Sequence, residues 1–436
     1  MKGGRKSETA ACGQARPARR RYWYAGLAVL ATAVAGWFAV PQLDGVYHRR
    51  LGRQALDDRD YHRAVDEWTR CLDDWPDDAQ TLLLLARAHW LAGDAAKATE
   101  RLNAAKAAGA DAARLKLETQ LFEAAGGKLE QAEAPLRQLL RTGQPDRGIV
   151  YEALIRGQLA RERPDEAERL ATAWADESPD AWQPHLLRAI ARTKQSPGLL
   201  TTPFAEAKQD LLRVLELKPD YDVARLLLGN AYVRTGEYRE ALPHLERFRL
   251  AKPDDEQGAL VLAECYRALG RAEDARRTID DWTAAHTGTA DLLVVRGRAD
   301  MDLGRPEEAL ADLRRAEALA PTRADLPFLL AQALRAAGRA DEATGYEATF
   351  RQREELARRL EIAQAIAAKD PNDVTSRYEA GIVALRLGQE AAGLHWLNAA
   401  VRLDPTHRPS HEALAEYFQQ KGDRQAAAMH RQAAGK

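Results

Sequence analysis

Three cysteines in 436 residues, Cys12, Cys71 and Cys265, are too few and too widely spaced for a disulfide framework or a thiolate metal site. Cys71 and Cys265 sit where packing residues are expected and are read as core fillers. Aromatic residues are only 6% of the chain, so its core must be built from small aliphatic side chains. An excess of one charge is also missing. The 64 Lys and Arg nearly balance the 65 Asp and Glu, which argues against a nucleic-acid partner. Signatures of chemistry are incomplete. His411-Glu412-Ala413-Leu414-Ala415 starts like H-E-x-x-H but lacks the second histidine. Gly126-Gly127-Lys128 has neither the upstream glycine nor the Ser/Thr of a phosphate loop, and there is no G-x-S-x-G. Among ten scattered histidines only His407 and His411 are close in sequence. With no third ligand type nearby they read as solvated surface. No catalytic residue, metal or cofactor is expected, and the chain is read as not an enzyme.

What the chain does have is a period. Asp222–Asp255 reads DVARLLLGNAYVRTGEYREALPHLERFRLAKPDD, and Gly229, Tyr232, Gly236, Tyr238, Ala241 and Pro253 occupy its positions 8, 11, 15, 17, 20 and 32. Ala241, Ala275 and Ala309 recur every 34 residues, as do Gly236, Gly270, Gly304 and Gly338. Small residues at positions 8 and 20 let two helices of a unit approach closely. Glycine at position 15 ends the first helix in a left-handed turn. Proline at position 32 stops the second helix. A unit of this kind leaves an apolar face open, which only stacking covers.

This pattern resembles the tetratricopeptide repeat. The resemblance implies an all-α, right-handed superhelical solenoid of about eleven helix pairs over residues 45–436. The period is irregular near 195–202 and 344–370, and no proline or glycine interrupts Glu347–Lys369. That last stretch reads as one long packed helix, with a kink or a protomer contact as the alternative. Acidic doublets such as Asp57-Asp58 and Asp77-Asp78 read as turns and helix caps.

In the resembled family the first-helix positions 2, 5, 9, 12 and 13 line an inner groove. Carried onto this chain, positions 5 and 9 give the candidate partner-binding set Leu226, Asn230, Leu260, Glu264, Val294, Arg298, Phe328 and Gln332. Earlier units supply Leu83, Leu117, Leu186, Arg87 and Arg156 at the same positions, and Tyr378 follows. Position 5 serves either the groove or the seam between repeats. Some family members grip a C-terminal carboxylate with lysine at 5 and asparagine at 9. Here Leu226 stands in place of that lysine.

The one long apolar run is Tyr22–Val40, YWYAGLAVLATAVAGWFAV, 19 residues without a charge. A helix of that length nearly spans a ~30 Å hydrocarbon layer, and its terminal aromatics suit the two interfaces. It reads as an uncleaved anchor, with a signal peptide cleaved near Ala33-Val34-Ala35 as the alternative. The tail 1–21 carries Lys2, Arg5, Lys6, Arg16, Arg19, Arg20 and Arg21 against Glu8, so it is expected to stay in the cytoplasm. Arginine-rich usage points to a GC-rich bacterial genome. The array is then expected outside the cytoplasmic (inner) membrane, in the periplasm of a Gram-negative cell. The function implied is a membrane-anchored scaffold or assembly adaptor that holds a protein or peptide partner in the groove. Homo-oligomers are compatible with it. The alternative is a non-catalytic accessory subunit that recruits substrate to a separate envelope enzyme for glycan or polymer export or cytochrome maturation.

Overall fold

The computed structural model describes residues 44–142, 147–195 and 202–435. Tyr22–Val40 and the basic tail lie outside these residues. Among the described residues no helix is long and apolar enough to cross a membrane.

The described residues form 22 helices and no strand, in two compact units divided after Gly198. The first unit holds α1 (44–57), α2 (Tyr61–Asp74), α3 (Ala79–Leu91), α4 (Ala95–Ala107), α5 (Ala112–Ala125), α6 (Leu129–Thr142), α7 (Arg147–Ala160), α8 (Pro164–Glu177) and α9 (Trp182–Lys194). The second holds α10 (Thr202–Leu217), α11 (Asp222–Arg234), α12 (Tyr238–Ala251), α13 (Glu256–Ala268), α14 (Ala272–Thr283), α15 (Ala290–Asp302) and α16 (Pro306–Leu319). It continues with α17 (Leu326–Ala336), α18 (Ala340–Lys369), α19 (Val374–Arg386), α20 (Glu390–Leu403), α21 (Arg408–Gln420) and α22 (Arg424–Ala434). Within the units these helices make ten pairs of the kind expected from the period, and α9 and α10 fall on either side of the division.

Each feature of the repeat has a visible physical cause. Helix starts are fixed by aspartates: Asp60, Asp78, Asp94 and Asp255 accept the backbone N–H three residues on. Position 8 faces position 24 of its own unit. A Cβ on Gly52, Gly229 or Gly381 would lie 2.4–2.6 Å from Trp68, Leu245 or Leu397. Glycine there lets the second helix press a large side chain against the first helix's backbone. Position 20 is equally closed, and Ala64, Ala98, Ala132, Ala167, Ala241, Ala275, Ala309 and Ala343 are all wholly buried. Cys71 and Cys265 are buried free thiols, and burial pushes the Cys265 thiol up to about 11.

Position 15 shows what the sequence pattern hides. The chain is left-handed at Gly93, Gly127, Gly236, Gly270, Gly304, Gly338, Gly388 and Gly422, and also at Arg59 and Glu162 with φ 57°. The turn geometry is therefore kept where the glycine is not. Left-handed backbone costs a non-glycine residue about 1–2 kcal/mol. Glu162 is exposed, so Glu162→Gly is expected to stabilise the first unit by up to about 1 kcal/mol. A urea titration of the two proteins would show it, and a lower midpoint for the glycine variant would contradict it.

First helices meet first helices: α3 touches α5, α5 touches α7, α7 touches α9, and in the second unit α11, α13, α15 and α17 touch in succession. They therefore line one face of each unit. Helix α18 departs from the regular second helix, at 30 residues against 12–14 in most others. Its N-terminal half packs on α17 and its C-terminal half on α19, where Leu360 and Ala363 share a core cluster with Ala380, Val383 and Ala384.

Candidate functional site: the inner face of the repeats

The structure separates the position-5 residues into two kinds. Val294 is wholly buried in the core cluster with Leu293, Leu310 and Leu330, so it presents nothing to a partner. Leu83 and Leu186 are buried too. Leu226 and Leu260 are half-buried against neighbouring core residues. Phe328 alone among the candidate apolar residues stands out, 43% exposed. Position 5 thus mostly serves the seam between repeats, and Phe328 is its one largely exposed apolar side chain among these.

Phe328 lies beside Phe350 of α18 with ring centroids 5.2 Å apart. The two rings, with Ala331, Gln332, Arg335, Glu347, Arg351 and Glu354, line a cavity of about 420 Å³. Arg335 donates to Glu347 at 2.5 Å across its mouth. Gln332 is exposed at the same edge. An apolar floor with a polar rim of both signs suits one side chain of a peptide rather than a charged group.

The remaining position-9 residues form a polar row. Asn230 and Glu264 are half-buried, and Arg298 donates to Asp325 at 3.1 Å. Burial pushes the Glu264 carboxyl above the usual range, and Arg298, Arg267 and Arg234 pull it back. Arg267 is itself bonded to Asp302. Glu264 is the one titratable acid in the row.

In the first unit the same positions are spent internally. Arg87 is paired with Glu118, and Arg156 donates to Glu152 at 3.0 Å and reaches the Leu91 carbonyl and the Tyr61 hydroxyl. Arg59, at its left-handed turn, pairs with Glu152 at 2.6 Å and lies over the Trp182 ring at 5.2 Å. A second cavity of about 420 Å³ remains beside these groups, lined among others by Arg53, Leu56, Gln80, Leu83, Arg114 and Leu117.

One expectation is corrected. His411 is not a solvated partner of His407. It is buried, and its Nδ1 faces His430 Nδ1 at 3.0 Å. His407 instead bonds Ser410 and lies edge-on to Tyr378. His430 is nineteen residues from His411, across a helix turn, so proximity in sequence selected the wrong pair. Among the described residues no group of three His, Cys, Asp or Glu is placed to hold a metal ion.

Comparison with known proteins bears on the repeats. Residues 49–113, 226–288 and 294–356 match the family model described as tetratricopeptide repeat. The chain carries tetratricopeptide repeats in both units. No curated protein matches it. Among solved structures it is similar to a tetratricopeptide repeat protein from Parabacteroides merdae at 20% identity, covering 59% of this chain and 98% of that one with a TM-score of 0.40. MamA from Desulfovibrio magneticus RS-1 is similar at 20% identity over 41% of this chain and 97% of its own, TM-score 0.37. The human IFIT1 dimer with m7Gppp-AAAA is similar at 14% identity over 82% and 89%, TM-score 0.41.

Proposed function

We propose that this chain is a membrane-anchored interaction scaffold of the bacterial envelope, binding an extended segment of a protein partner along the inner face of its second unit. The exposed Phe328, paired with Phe350 over a cavity, carries the reading. In an array whose other position-5 side chains are wholly or largely packed away, one solvent-facing aromatic with room beside it is an anchor site. Asn230, Glu264 and Arg298 extend the contact as hydrogen-bonding groups, and Gln332 borders the cup. On this reading Tyr22–Val40 is the anchor, and the basic tail before it supports an array outside the cytoplasm.

Two experiments test this. Partners captured from the host envelope by the full chain are expected to be lost when Phe328 and Phe350 are changed to Ala together, and weakened when Asn230, Glu264 and Arg298 become Ala. Changing the exposed residues Arg239, Glu273 and Glu307 to Ala is expected to leave capture intact. These surface changes should each cost no more than about 0.5 kcal/mol, checked by circular dichroism. Capture that survives the inner changes but not the outer ones would move recognition to the opposite face. For topology, an export-dependent phosphatase fused after Lys436 should be active and a cytoplasm-only fluorescent protein dark. The reverse would place the array in the cytoplasm.

A further inference from the structure

The last helix pair is closed by two imidazoles that touch nose to nose. His411 of α21 and His430 of α22 are 6% and 7% exposed, with Nδ1 atoms 3.0 Å apart. His411 Nε2 lies 3.1 Å from the Pro405 carbonyl, which only accepts, so this nitrogen carries the proton. In the neutral ring, Nδ1 of His411 is then a bare acceptor. His430 must donate its own Nδ1–H across the 3.0 Å gap. The His430 ring is stacked on Phe418, 3° from parallel at 5.7 Å, which leaves it an apolar wall.

We infer that this pair is a pH-sensitive latch: α22 is held on α21 while both imidazoles are neutral and is released when they take up protons. A first extra proton places a charge in a buried site walled by Phe418. A second sets N–H against N–H at hydrogen-bond distance. The groups that face the pair do little to offset this. Asp404, in the turn after α20, is electrostatically coupled to His411 but lies at the surface, and His407, at the start of α21, is itself titratable. Burial, with His411 second, holds His430 below the ordinary histidine range. A histidine depressed in the folded state favours folding above its unfolded value of about 6.5 and loses that contribution as pH falls through the depressed value. Release of α22 uncovers the α21 surface along which it packs, including the surroundings of Ala415.

Hydrogen exchange of the full chain, corrected for intrinsic rates, tests this at about pH 7.5 and about pH 5. Protection of 424–434 is expected to fall about tenfold or more at the lower pH, while 374–403 stays protected. His430→Gln keeps a side-chain donor for His411 and turns its carbonyl toward a protonated ring, so the pH effect should vanish. Unchanged protection of 424–434 in the parent protein, or an undiminished pH effect in the variant, overturns the latch. If the variant fails to hold α22 at neutral pH, imidazole resonances of the parent decide. His430 titrating below 6.5 at the midpoint of protection loss supports the latch, and titration at or above 6.5 overturns it.

Discussion

Gly157→Ala is expected to cost the first unit about 3 kcal/mol, at or beyond the upper end of ordinary overpacking. A Cβ at this position would lie 2.1 Å from the Ala124 backbone carbonyl oxygen and 3.0 Å from Leu129 Cδ2. A clash with a flexible side chain relaxes by a rotamer change, but one with a helix carbonyl does not. Helices α5 and α7 must move apart, and the core around Leu121, Leu154 and Ala124 opens with them. Gly93→Ala is the control. Gly93 has φ 89° and nothing within 4 Å of its missing Cβ, so the same methyl group there meets only backbone strain of about 1–2 kcal/mol. Denaturation of the two variants should rank Gly157→Ala well below Gly93→Ala. Equal losses would mean that α5 and α7 do not approach this closely.

Asp312→Ala is expected to destabilise the second unit by about 3 kcal/mol, the lower end of the usual loss when one partner of a buried ion pair is removed, because Asp280 still pairs with Arg296. Arg296 of α15 grips Asp312 of α16 through two bonds of 2.5 and 2.6 Å, and bonds Asp280 of α14 at 2.8 Å. These carboxylates hold the guanidinium protonated even more firmly than usual. Asp300, 1% exposed, lies in the same cluster beside Arg276, and burial pushes its carboxyl above the usual range. Ionising it works against folding, so that cost grows as pH rises from the unfolded carboxylate value through the raised one. Asp300→Asn is therefore expected to be neutral or stabilising at pH near 7, one atom's change away from a costly one. Chemical denaturation of both variants checks the contrast. Similar losses would show that the cluster is not organised around the Arg296–Asp312 pair.

The helix pairs were legible because their signals are local and repeat at one spacing. Glycine at position 15, alanine at 20 and proline at 32 each mark a backbone requirement that few other residues meet. The two departures, Arg59 and Glu162, show the limit of that reasoning. The left-handed turn is imposed by the pairs packed around it, so the residue is tolerated rather than required. Position 5 was ambiguous for a related reason. It sits at the seam between repeats, and whether Val294 or Phe328 reaches solvent depends on what the neighbouring second helix places above it. Phe350, which completes the cup, belongs to α18 and has no counterpart in the regular period. The contacts of Arg59 with Glu152 and of His411 with His430 join residues far apart in the chain, and no spacing rule announces them.

Helix α18 acts as a spacer with a direction. Pro321 to Pro371 is 50 residues, 16 more than one period. Sixteen helical residues are about 24 Å and about 4.4 turns, so the chain leaves α18 about 160° round from where a regular second helix would release it. The next first helix, α19, accordingly leans on the far half of α18, and Gly388 in the turn of its pair comes against Thr322. Length and heading are thus set separately here. Removing 354–369 would restore an unbroken 34-residue period, whereas removing 11 residues, about three turns, would shorten the spacer and nearly keep its heading.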